Sequence, residues 1–565
     1  MSRSDVILSQ RDSAPLGSLE TIVSKGASEE ELKTHTGANI KPLERGLPKL
    51  VDSICPECLK VIEARLYADE GKVWMAKKCP EHGPWKELYW SDVDMYLDAE
   101  KWFFGEGKGL MNPTVMKDKE CPHSCGLCDH HASHTALGNI DLTNRCDLSC
   151  NFCFANSNKA GYIYEPSYEQ ILSMLEAYRH LRPVAGRVVQ FSGGEPTLHP
   201  RFFDIIKAAN DMGFSHVQIA SNGLNLSKPE FAEKAAQAGL HTVYLQFDGV
   251  SDETYRKTRG RALAQIKFKA IENCRQFNIR IVFVPTIVRG VNDNEVGEIL
   301  KFAIRNIDVI SGISYQPVAF TGRVPYEERL QQRYTLPDLA KDIEKQTGLV
   351  RARDHWFPLC CVSPFSKFFM AVRGHDTVNI TCHPHCSLGT YIWVNSDEED
   401  RLASATAIAE FMDVRGMLTD MNDLAFKTTK SRFKSFKKIT AFNKIRSRFI
   451  PERAPKGLTF TKFLEPLNGL MDKSVGRSRN GRGTQWKALL VGGMHFMDSY
   501  NYQVERASRC VIHYSAPDGR LYPFCTYNSG PVFRDKIEAQ FSMTKEEWSK
   551  KNRESARETS GHCSR

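Results

Sequence analysis

The sequence predicts an α/β fold, a partial (β/α)6 barrel that carries cysteine-rich metal-binding extensions on both sides. From residue 139 onward, short apolar runs alternate with amphipathic stretches in the order strand, loop, helix. This order is typical of a parallel sheet with right-handed crossovers. Six such units are fewer than the eight of a complete barrel. A doubly wound open sheet is the alternative, and the loop motifs described below favour the barrel.

Six apolar runs are the strand candidates: residues 138–143, 187–193, 216–223, 242–249, 280–288 and 310–319. Three amphipathic stretches between them are the clearest helices: residues 167–182, 199–213 and 228–239. Because the helical spacing returns between successive strands, each strand is expected to lie parallel to its neighbour.

Length and composition indicate a soluble protein of two to four domains. The chain has 565 residues, of which 41% are hydrophobic and 25% charged. No stretch approaches the roughly 20 apolar residues of a membrane span, and the N-terminus lacks the layout of a signal peptide. We therefore expect a cytoplasmic protein. The formal charge of +9 permits an anionic partner without identifying one.

Changes in composition divide the chain into five segments. We predict a mobile leader (1–45), a cysteine-rich iron-binding domain (46–138), the barrel (139–335), a C-terminal region with further metal ligands (336–540) and a polar tail (541–565). The cysteine count of 17 is odd, and the spacings are short and clustered. In a large chain this pattern favours metal binding over disulfides.

The most informative motif is TNRCDLSCNFCFAN, residues 143–156, which follows the first predicted strand. Cys146, Cys150 and Cys153 are spaced so that three thiolates can hold three corners of a [4Fe–4S] cluster. The fourth iron then lacks a protein ligand and can bind a small molecule. Zinc with a remote fourth cysteine is the alternative.

The following strands end in polar or glycine-rich motifs: SGGEP (192–196), ASNG (220–223), QFDG (246–249) and GVNDNE (290–295). Gly193 and Gly194 permit close backbone approach, and Glu195 offers a carboxylate to an ammonium group. Ser221 and Asn222 suit hydroxyl groups. Each motif alone is a weak signal, but their order at successive strand ends is specific, because these ends meet at one face of a barrel.

The motif CDLSCNFC and the loops after it resemble the radical S-adenosylmethionine (SAM) enzymes, over about residues 138–330. The resemblance implies that SAM chelates the iron that lacks a protein ligand. An electron from the reduced cluster then cleaves SAM and generates a 5′-deoxyadenosyl radical, which abstracts a hydrogen atom from a C–H bond of the substrate. It also implies a SAM pocket made of Phe152, Gly193, Gly194, Glu195, Ser221, Asn222 and Asp248, beside the three cluster cysteines.

Twelve other cysteines are predicted metal ligands: Cys55, Cys58, Cys79, Cys121, Cys125, Cys128, Cys360, Cys361, Cys382, Cys386, Cys510 and Cys525. Their pairing does not follow from spacing. Cys274, on a helical stretch, is expected in the core, and Cys563 lies in the polar tail. The CPEC and KKCPEH motifs suit either mononuclear iron or a structural zinc site that includes His82.

Together these cysteine motifs resemble the archaeal tetraether lipid synthase family and its bacterial relatives, from about residue 50 to 535. The resemblance implies a radical SAM cluster, two auxiliary [4Fe–4S] clusters and a rubredoxin-like mononuclear iron. The first six of the twelve would serve mainly the mononuclear site and one auxiliary cluster. Two of the last six would complete these sites, or the last six would form the other cluster among themselves.

The same resemblance implies an enzyme that abstracts hydrogen from the terminal methyls of lipid alkyl chains and couples them by a carbon–carbon bond, giving tetraether-type or macrocyclic lipids. A radical SAM C-methylase acting on a pterin and a peptide-modifying radical SAM enzyme are the alternatives. An electron carrier with several iron sites is a fourth reading, but it has no need of a SAM pocket.

Residues 424–450 contain nine Lys or Arg and no acidic residue, interleaved with phenylalanine and isoleucine. This pattern favours contact with an anionic membrane surface; a solvated helix or a nucleic-acid-binding helix is the alternative. The apolar residues fall on two faces, Phe426, Phe433 and Phe436 on one and Phe442, Ile445 and Phe449 on the other. A break near Thr440, or packing of half the helix on the barrel, would reconcile them.

The partners expected from these patterns are a lipid substrate, an anionic membrane surface and an electron donor such as ferredoxin or flavodoxin, with no nucleic acid. The lipid and membrane contacts are assigned to the region 336–540. We accordingly expect a cytoplasmic protein that is peripheral at the inner face of the membrane.

Overall fold

A computed structural model of the chain describes residues 40–116, 120–150, 153, 155, 157, 160–320, 325–432, 434, 436–471, 484–529 and 533–550. The predicted leader up to residue 39 and the tail from residue 551 lie outside this range. So do three residues named above: Phe152, Phe433 and Cys563.

The N-terminal part is an antiparallel ribbon of four strands, β1 (Lys49–Ile54), β2 (Val61–Asp69), β3 (Lys72–Cys79) and β4 (Gly83–Trp90), followed by helix α1 (Val93–Lys101). Burial alternates along β3, where Val73, Met75 and Cys79 point inward, as the two-residue period of a strand requires. The turn after β1 carries the CPEC motif and the turn after β3 carries the KKCPEH motif, so both motifs lie at the same end of the ribbon.

The strands of this segment are β5 (Leu137–Thr143), β6 (Ile163–Tyr164), β7 (Val188–Gly193), β8 (His216–Ser221), β9 (Thr242–Leu245), β10 (Arg280–Phe283), β11 (Thr286–Ile287) and β12 (Ile310–Pro317). All of them belong to the main sheet except β6, which lies in a separate two-stranded sheet. The helices between them are α2 (Tyr168–His180), α3 (Phe202–Asp211), α4 (Pro229–Gln237), α5 (Asp252–Arg259), α6 (Ala264–Gln276) and α7 (Val296–Arg305). Ser167 and Gln170 form a capping box at the start of α2, which stabilises that helix end.

The remaining helices are α8 (Tyr326–Gln332), α9 (Leu336–Thr347), α10 (Ser363–Arg373), α11 (Ile408–Phe411), α12 (Val414–Thr429), α13 (Lys437–Ser447), α14 (Phe460–Met471), α15 (Val504–Ser508), α16 (Phe524–Asn528) and α17 (Phe533–Gln540). The remaining strands are β13 (Phe357–Pro358), β14 (Ser387–Asn395), β15 (Thr406–Ala407), β16 (Trp486–Met494), β17 (Ile512–Ser515), β18 (Leu521–Pro523) and β19 (Ser542–Met543).

The predicted α/β fold is confirmed, with six parallel strands in the order β12, β10, β9, β8, β7, β5. The C-terminal region extends both edges of this sheet. Strand β16 lies parallel to β12, and β17 lies parallel to β5. Because all these strands run in one direction, their carboxyl ends and the loops that follow them gather at one face.

A buried ionic cluster joins the C-terminal segment to the barrel. Arg534 in α17 pairs with Asp141 in β5 and with Glu538, and all three side chains are buried. Within the described residues, no helix combines the length and the apolar composition that a membrane span requires.

Candidate active site and metal centres

The predicted cluster loop begins directly after β5, at the carboxyl edge of the sheet. Cys146, Cys150 and Cys153 are all partly exposed, and none of them forms a disulfide. Burial raises the pKa of Cys146 to about 12. A thiol in such a setting ionises when a metal binds it. The amide of Asn222 lies 3.9 Å from the Cys146 sulfur, so the loops after β5 and β8 meet at this ligand.

Gly193 and Gly194 bring the end of β7 against the cluster loop. Gly193 has a positive φ of 126°, and a Cβ there would overlap the carbonyl oxygen of Thr143. A Cβ on Gly194 would overlap the carbonyl oxygen of Arg145. The backbone N–H of Gly194 donates to Thr143 O at 2.6 Å. Only glycine allows this approach, as the SGGEP motif predicts.

Glu195 is a buried link between the loops after β7 and β8. Its carboxylate accepts hydrogen bonds from the Ser221 hydroxyl at 2.9 Å, the Asn222 N–H at 2.8 Å and the Thr197 hydroxyl at 2.6 Å. Burial raises the pKa of Glu195. These bonds fix the positions of Ser221 and Asn222 relative to the glycine loop, so the three motifs form one pocket wall.

Asp248 lies at the end of β9 and is fully buried. It forms a two-point ion pair with Arg259 at 2.5 and 3.0 Å and accepts the Thr286 N–H at 3.0 Å. Burial by itself would raise the pKa of Asp248, but the attraction of the Arg259 guanidinium, together with its hydrogen bonds, outweighs this effect and lowers the pKa of Asp248. The pair places the Arg259 guanidinium near Cys150, whose sulfur accepts a hydrogen bond from it.

Sequence reasoning missed Arg259 and Lys267. Lys267 in α6 is fully buried and donates to Asn222 O at 2.5 Å and to Gln246 Oε1 at 2.7 Å. Burial lowers the pKa of Lys267 to about 7. A lysine on the apolar face of a helix was the available signal, because such residues are seldom buried without a specific partner.

The ribbon brings four potential ligands together at one point: Cys55, Cys58, Cys79 and His82, whose donor atoms all lie within 4.8 Å of one another. The sulfurs of Cys58 and Cys79 are 3.8 Å apart, and His82 Nδ1 is 3.5 Å from Cys79. A tetrahedral zinc with bonds of about 2.3 Å to sulfur requires sulfurs about 3.8 Å apart. The hydrogen bond from His82 lowers the pKa of Cys79 to about 6.

The second cysteine triplet, Cys121, Cys125 and Cys128, lines a cavity of about 520 Å³ between the ribbon and α15. Burial raises the pKa of Cys125, and the neighbouring Cys121 and Cys128 thiols raise it further. Cys525 belongs to the same apolar cluster as Cys121 and to another that contains Cys125 and Cys510. The fold therefore brings this distal cysteine into the region between the triplet and Cys510.

The other distal cysteines meet on the far side of α15. Cys360 packs with Cys382, and burial raises the pKa of Cys382, with a further contribution from Cys386 and Cys510. Cys361 instead packs among aromatic residues of a separate apolar cluster. Adjacent residues of this chain thus serve two different surroundings. Cys274 is buried in the main core, as predicted.

Two family models match the chain. The model described as the radical SAM superfamily matches residues 140–303, and the model described as the HMPTM N-terminal zinc ribbon domain matches residues 47–91. The first match covers the strands and loops of the predicted SAM pocket. The second covers the ribbon with its four clustered ligands.

The 7,8-dihydro-6-hydroxymethylpterin dimethyltransferase of Methanocaldococcus jannaschii is 41% identical over 498 residues, which are 88% of this chain and 96% of that protein. The chain belongs to this family of radical SAM enzymes. The probable GTP 3′,8-cyclase of Archaeoglobus fulgidus is 32% identical over 164 residues, which are 29% of this chain and 53% of that protein.

Among solved structures, Streptococcus suis SuiB bound to S-adenosylmethionine is 19% identical, covers 38% of this chain and 47% of its own, and has a TM-score of 0.31.

The family corrects the predicted activity. The expectation of an enzyme that couples lipid alkyl chains is wrong, because the similarity along nearly the whole relative is to a pterin dimethyltransferase. The resemblance to the lipid synthases rested on cysteine spacings. Those spacings reflect the iron sites and the SAM chemistry, and they carry no information on the substrate.

Proposed function

We propose that the protein is a radical SAM methylase that adds methyl groups to a reduced pterin of the 7,8-dihydro-6-hydroxymethylpterin class. The supporting observation is the 41% identity over 96% of the pterin dimethyltransferase. This proposal was one of the alternatives that the sequence left open. The peptide-modifying alternative has no comparable whole-chain support.

The residues of the pocket have separate roles in this proposal. Cys146, Cys150 and Cys153 would hold the cluster, next to the loop that Glu195 organises. Bound SAM would supply radical chemistry at a C–H bond when an external donor reduces the cluster. Ferredoxin or flavodoxin is the proposed electron donor.

Gly193 and Gly194 present backbone groups to the SAM amine, and Ser221 and Asn222 lie near its ribose. Asp248 holds Arg259 beside the cluster ligand Cys150. These contacts orient SAM and exclude water from the reacting carbon.

Eight of the cysteines outside the cluster loop and the ribbon are proposed to form two auxiliary [4Fe–4S] sites. Cys121, Cys125 and Cys128 take Cys525 as the fourth ligand of one site, since Cys525 shares one apolar cluster with Cys121 and another with Cys125. Cys360, Cys382, Cys386 and Cys510 form the other site, supported by the packing of Cys360 on Cys382. Cys361 is then a core residue.

The metal of the ribbon is proposed to be zinc rather than mononuclear iron, because the donor set is three thiolates and an imidazole. His82→Ala should lose this ion on dialysis against a chelator, while the wild type retains one equivalent, measured by plasma mass spectrometry. His180→Ala, an exposed histidine on α2, is the matched control. Iron instead of zinc in the wild type, or an unchanged metal content in His82→Ala, would contradict the assignment.

The proposed activity is tested by anaerobic reconstitution with SAM, a reductant and 7,8-dihydro-6-hydroxymethylpterin, followed by mass spectrometry of the pterin. We expect a pterin that carries one or two additional methyl groups. SAM labelled with deuterium in its methyl group distinguishes methyl transfer from SAM from supply by another donor. The proposal would be overturned if the enzyme released deoxyadenosine but formed no methylated pterin, even when methyl donors other than SAM were also supplied.

A further inference from the structure

Helices α12 and α13 carry an exposed surface that mixes apolar and basic side chains. Four large apolar residues are strongly exposed here: Phe426 at 62%, Phe436 at 69%, Ile439 at 61% and Phe442 at 45%. They are four of the nine exposed large hydrophobics of the described chain, within 17 successive positions. Single exposed apolar residues are ordinary, but such a concentration marks an interaction site.

The inner faces of the two helices pack against each other. Ala441 and Ile445 of α13 pack against Met421 and Leu424 of α12 in a shared apolar cluster. This cluster also contains Phe368 of α10, so the pair is tied to the rest of the C-terminal region. The break between the two apolar faces lies between α12 and α13, before the predicted position at Thr440.

Ion pairs orient α13 from the same side. The Asp420 carboxylate forms ion pairs with Lys444 at 2.7 Å and with Arg448 at 2.8 Å. Arg448 also pairs with Asp413 at 2.8 Å. The basic residues on the inner side are thus neutralised within the fold. On the outer side, the Phe426, Phe436 and Ile439 side chains are exposed to solvent. The Phe442 ring packs edge-on against Phe460, with ring centres 5.5 Å apart, and exposes its remaining surface beside them.

The basic residues beside the exposed apolar ones are not neutralised in this way. Lys427, Lys430 and Lys438 are exposed and form no ion pair with an acidic residue in the part of the chain that the structure describes. The Lys430 ammonium lies 4.3 Å from the centre of the Phe426 ring. We call these three lysines with Phe426, Phe436, Ile439 and Phe442 the Phe–Lys surface.

We propose that the Phe–Lys surface docks on an anionic lipid bilayer. An aliphatic isoleucine and three phenylalanines suit the boundary between headgroups and acyl chains, while lysines around them meet anionic headgroups. Lysine stems lie along apolar surface and keep their charge in the polar layer. No acidic residue between 424 and 450 opposes the contact.

A nucleic acid is the other anionic occupant, and the exposed apolar residues argue against it. A nucleic acid would bind through its phosphates, which need only positive charge, or through its bases, which stack on aromatic rings. The exposed Ile439 side chain contributes to neither kind of contact. The docking would hold a soluble enzyme at a membrane without any spanning helix. It is independent of the proposed reaction, because the surface belongs to elements that do not line the SAM pocket.

The test is vesicle flotation of the full-length, cluster-loaded protein. The vesicles contain phosphatidylcholine alone or phosphatidylcholine with phosphatidylglycerol. We expect the wild type to float with the anionic vesicles only. Phe436→Ser with Ile439→Ser and Phe442→Ser should lower the bound fraction at least about tenfold, and so should Lys427→Gln with Lys430→Gln and Lys438→Gln.

Matched controls change the same chemistry elsewhere. Lys72→Gln with Lys228→Gln and Lys234→Gln removes the same charge from exposed positions, and Met116→Ser with Leu330→Ser removes exposed apolar side chains. Both controls should float like the wild type. Far-ultraviolet circular dichroism and cluster absorbance confirm that each variant is folded.

Three outcomes would overturn the proposal. One is wild-type protein that stays unbound to anionic vesicles, and another is an equal loss of binding in the surface variants and the controls. The third is binding to duplex DNA or transfer RNA in a gel shift that the Lys427, Lys430 and Lys438 changes abolish, while vesicle binding is absent. Methylation of soluble pterin by the surface variants should equal that of the wild type.

Discussion

Replacing Cys150 with alanine is expected to reduce SAM cleavage to the background rate. Cys146, Cys150 and Cys153 are the only thiols on the loop after β5, so a missing one cannot be replaced from the same loop. A cluster held by two thiolates is lost or loses its site for SAM. The measurement is deoxyadenosine formation by the reconstituted enzyme, together with the iron content and the electron paramagnetic resonance signal of the reduced protein.

The iron of the auxiliary sites should remain in this variant, since their cysteines lie on other segments. Cys361→Ala is the matched control, because its side chain packs among aromatic residues. It should keep the full iron content and SAM cleavage. If Cys361→Ala lost a cluster, the proposed ligand grouping would be wrong. If Cys150→Ala still cleaved SAM, the assignment of the radical cluster would be wrong.

Replacing Glu87 with alanine should lower the free energy of unfolding by about 3–5 kcal/mol. The Glu87 carboxylate, on β4, forms ion pairs with Arg329 at 3.1 Å and with Arg333 at 2.9 Å. Arg333 also forms an ion pair with Asp498 at 2.6 Å. All four side chains are at most 3% exposed. Removal of Glu87 takes from the buried Arg329 and Arg333 side chains the carboxylate that they share.

The measurement is the midpoint of denaturant unfolding, followed by circular dichroism. Glu253→Ala is the control, because it breaks an exposed pair with Lys257; such pairs add little to stability, and its midpoint should match that of the wild type. An equal midpoint for the Glu87 and Glu253 variants would show that the ribbon is held to the barrel by other contacts. Glu87→Gln separates the lost charge from the lost volume.

The parts that the sequence predicted well depend on local patterns. The six strands β5, β7, β8, β9, β10 and β12 each carry an apolar run, and all but β12 are followed closely by one of the named motifs. Gly193 and Gly194 were predictable because a motif of two glycines at a strand end has one common use, close backbone approach.

The prediction of substrate failed for a physical reason. Cys146, Cys150 and Cys153 have the spacing that a radical SAM cluster requires, and that requirement is the same whether the radical reacts with a lipid or with a pterin. Substrate choice depends on the shape and polarity of a pocket made from distant segments. Similarity along the whole chain carried that information, whereas motif spacing did not.

The sequence by itself determined the parallel sheet, the cluster loop and the order of the SAM motifs, because each depends on residues close together in the chain. Only the tertiary structure decided that β16 and β17 join the sheet, since Leu490 pairs with Gly312 and Ile512 with Leu137 across more than a hundred residues. It likewise decided that Cys525 and Cys121 belong to one apolar cluster, and that Cys360 and its neighbour Cys361 belong to two different ones. Such contacts form between segments that chain folding alone brings together, and no local pattern records them.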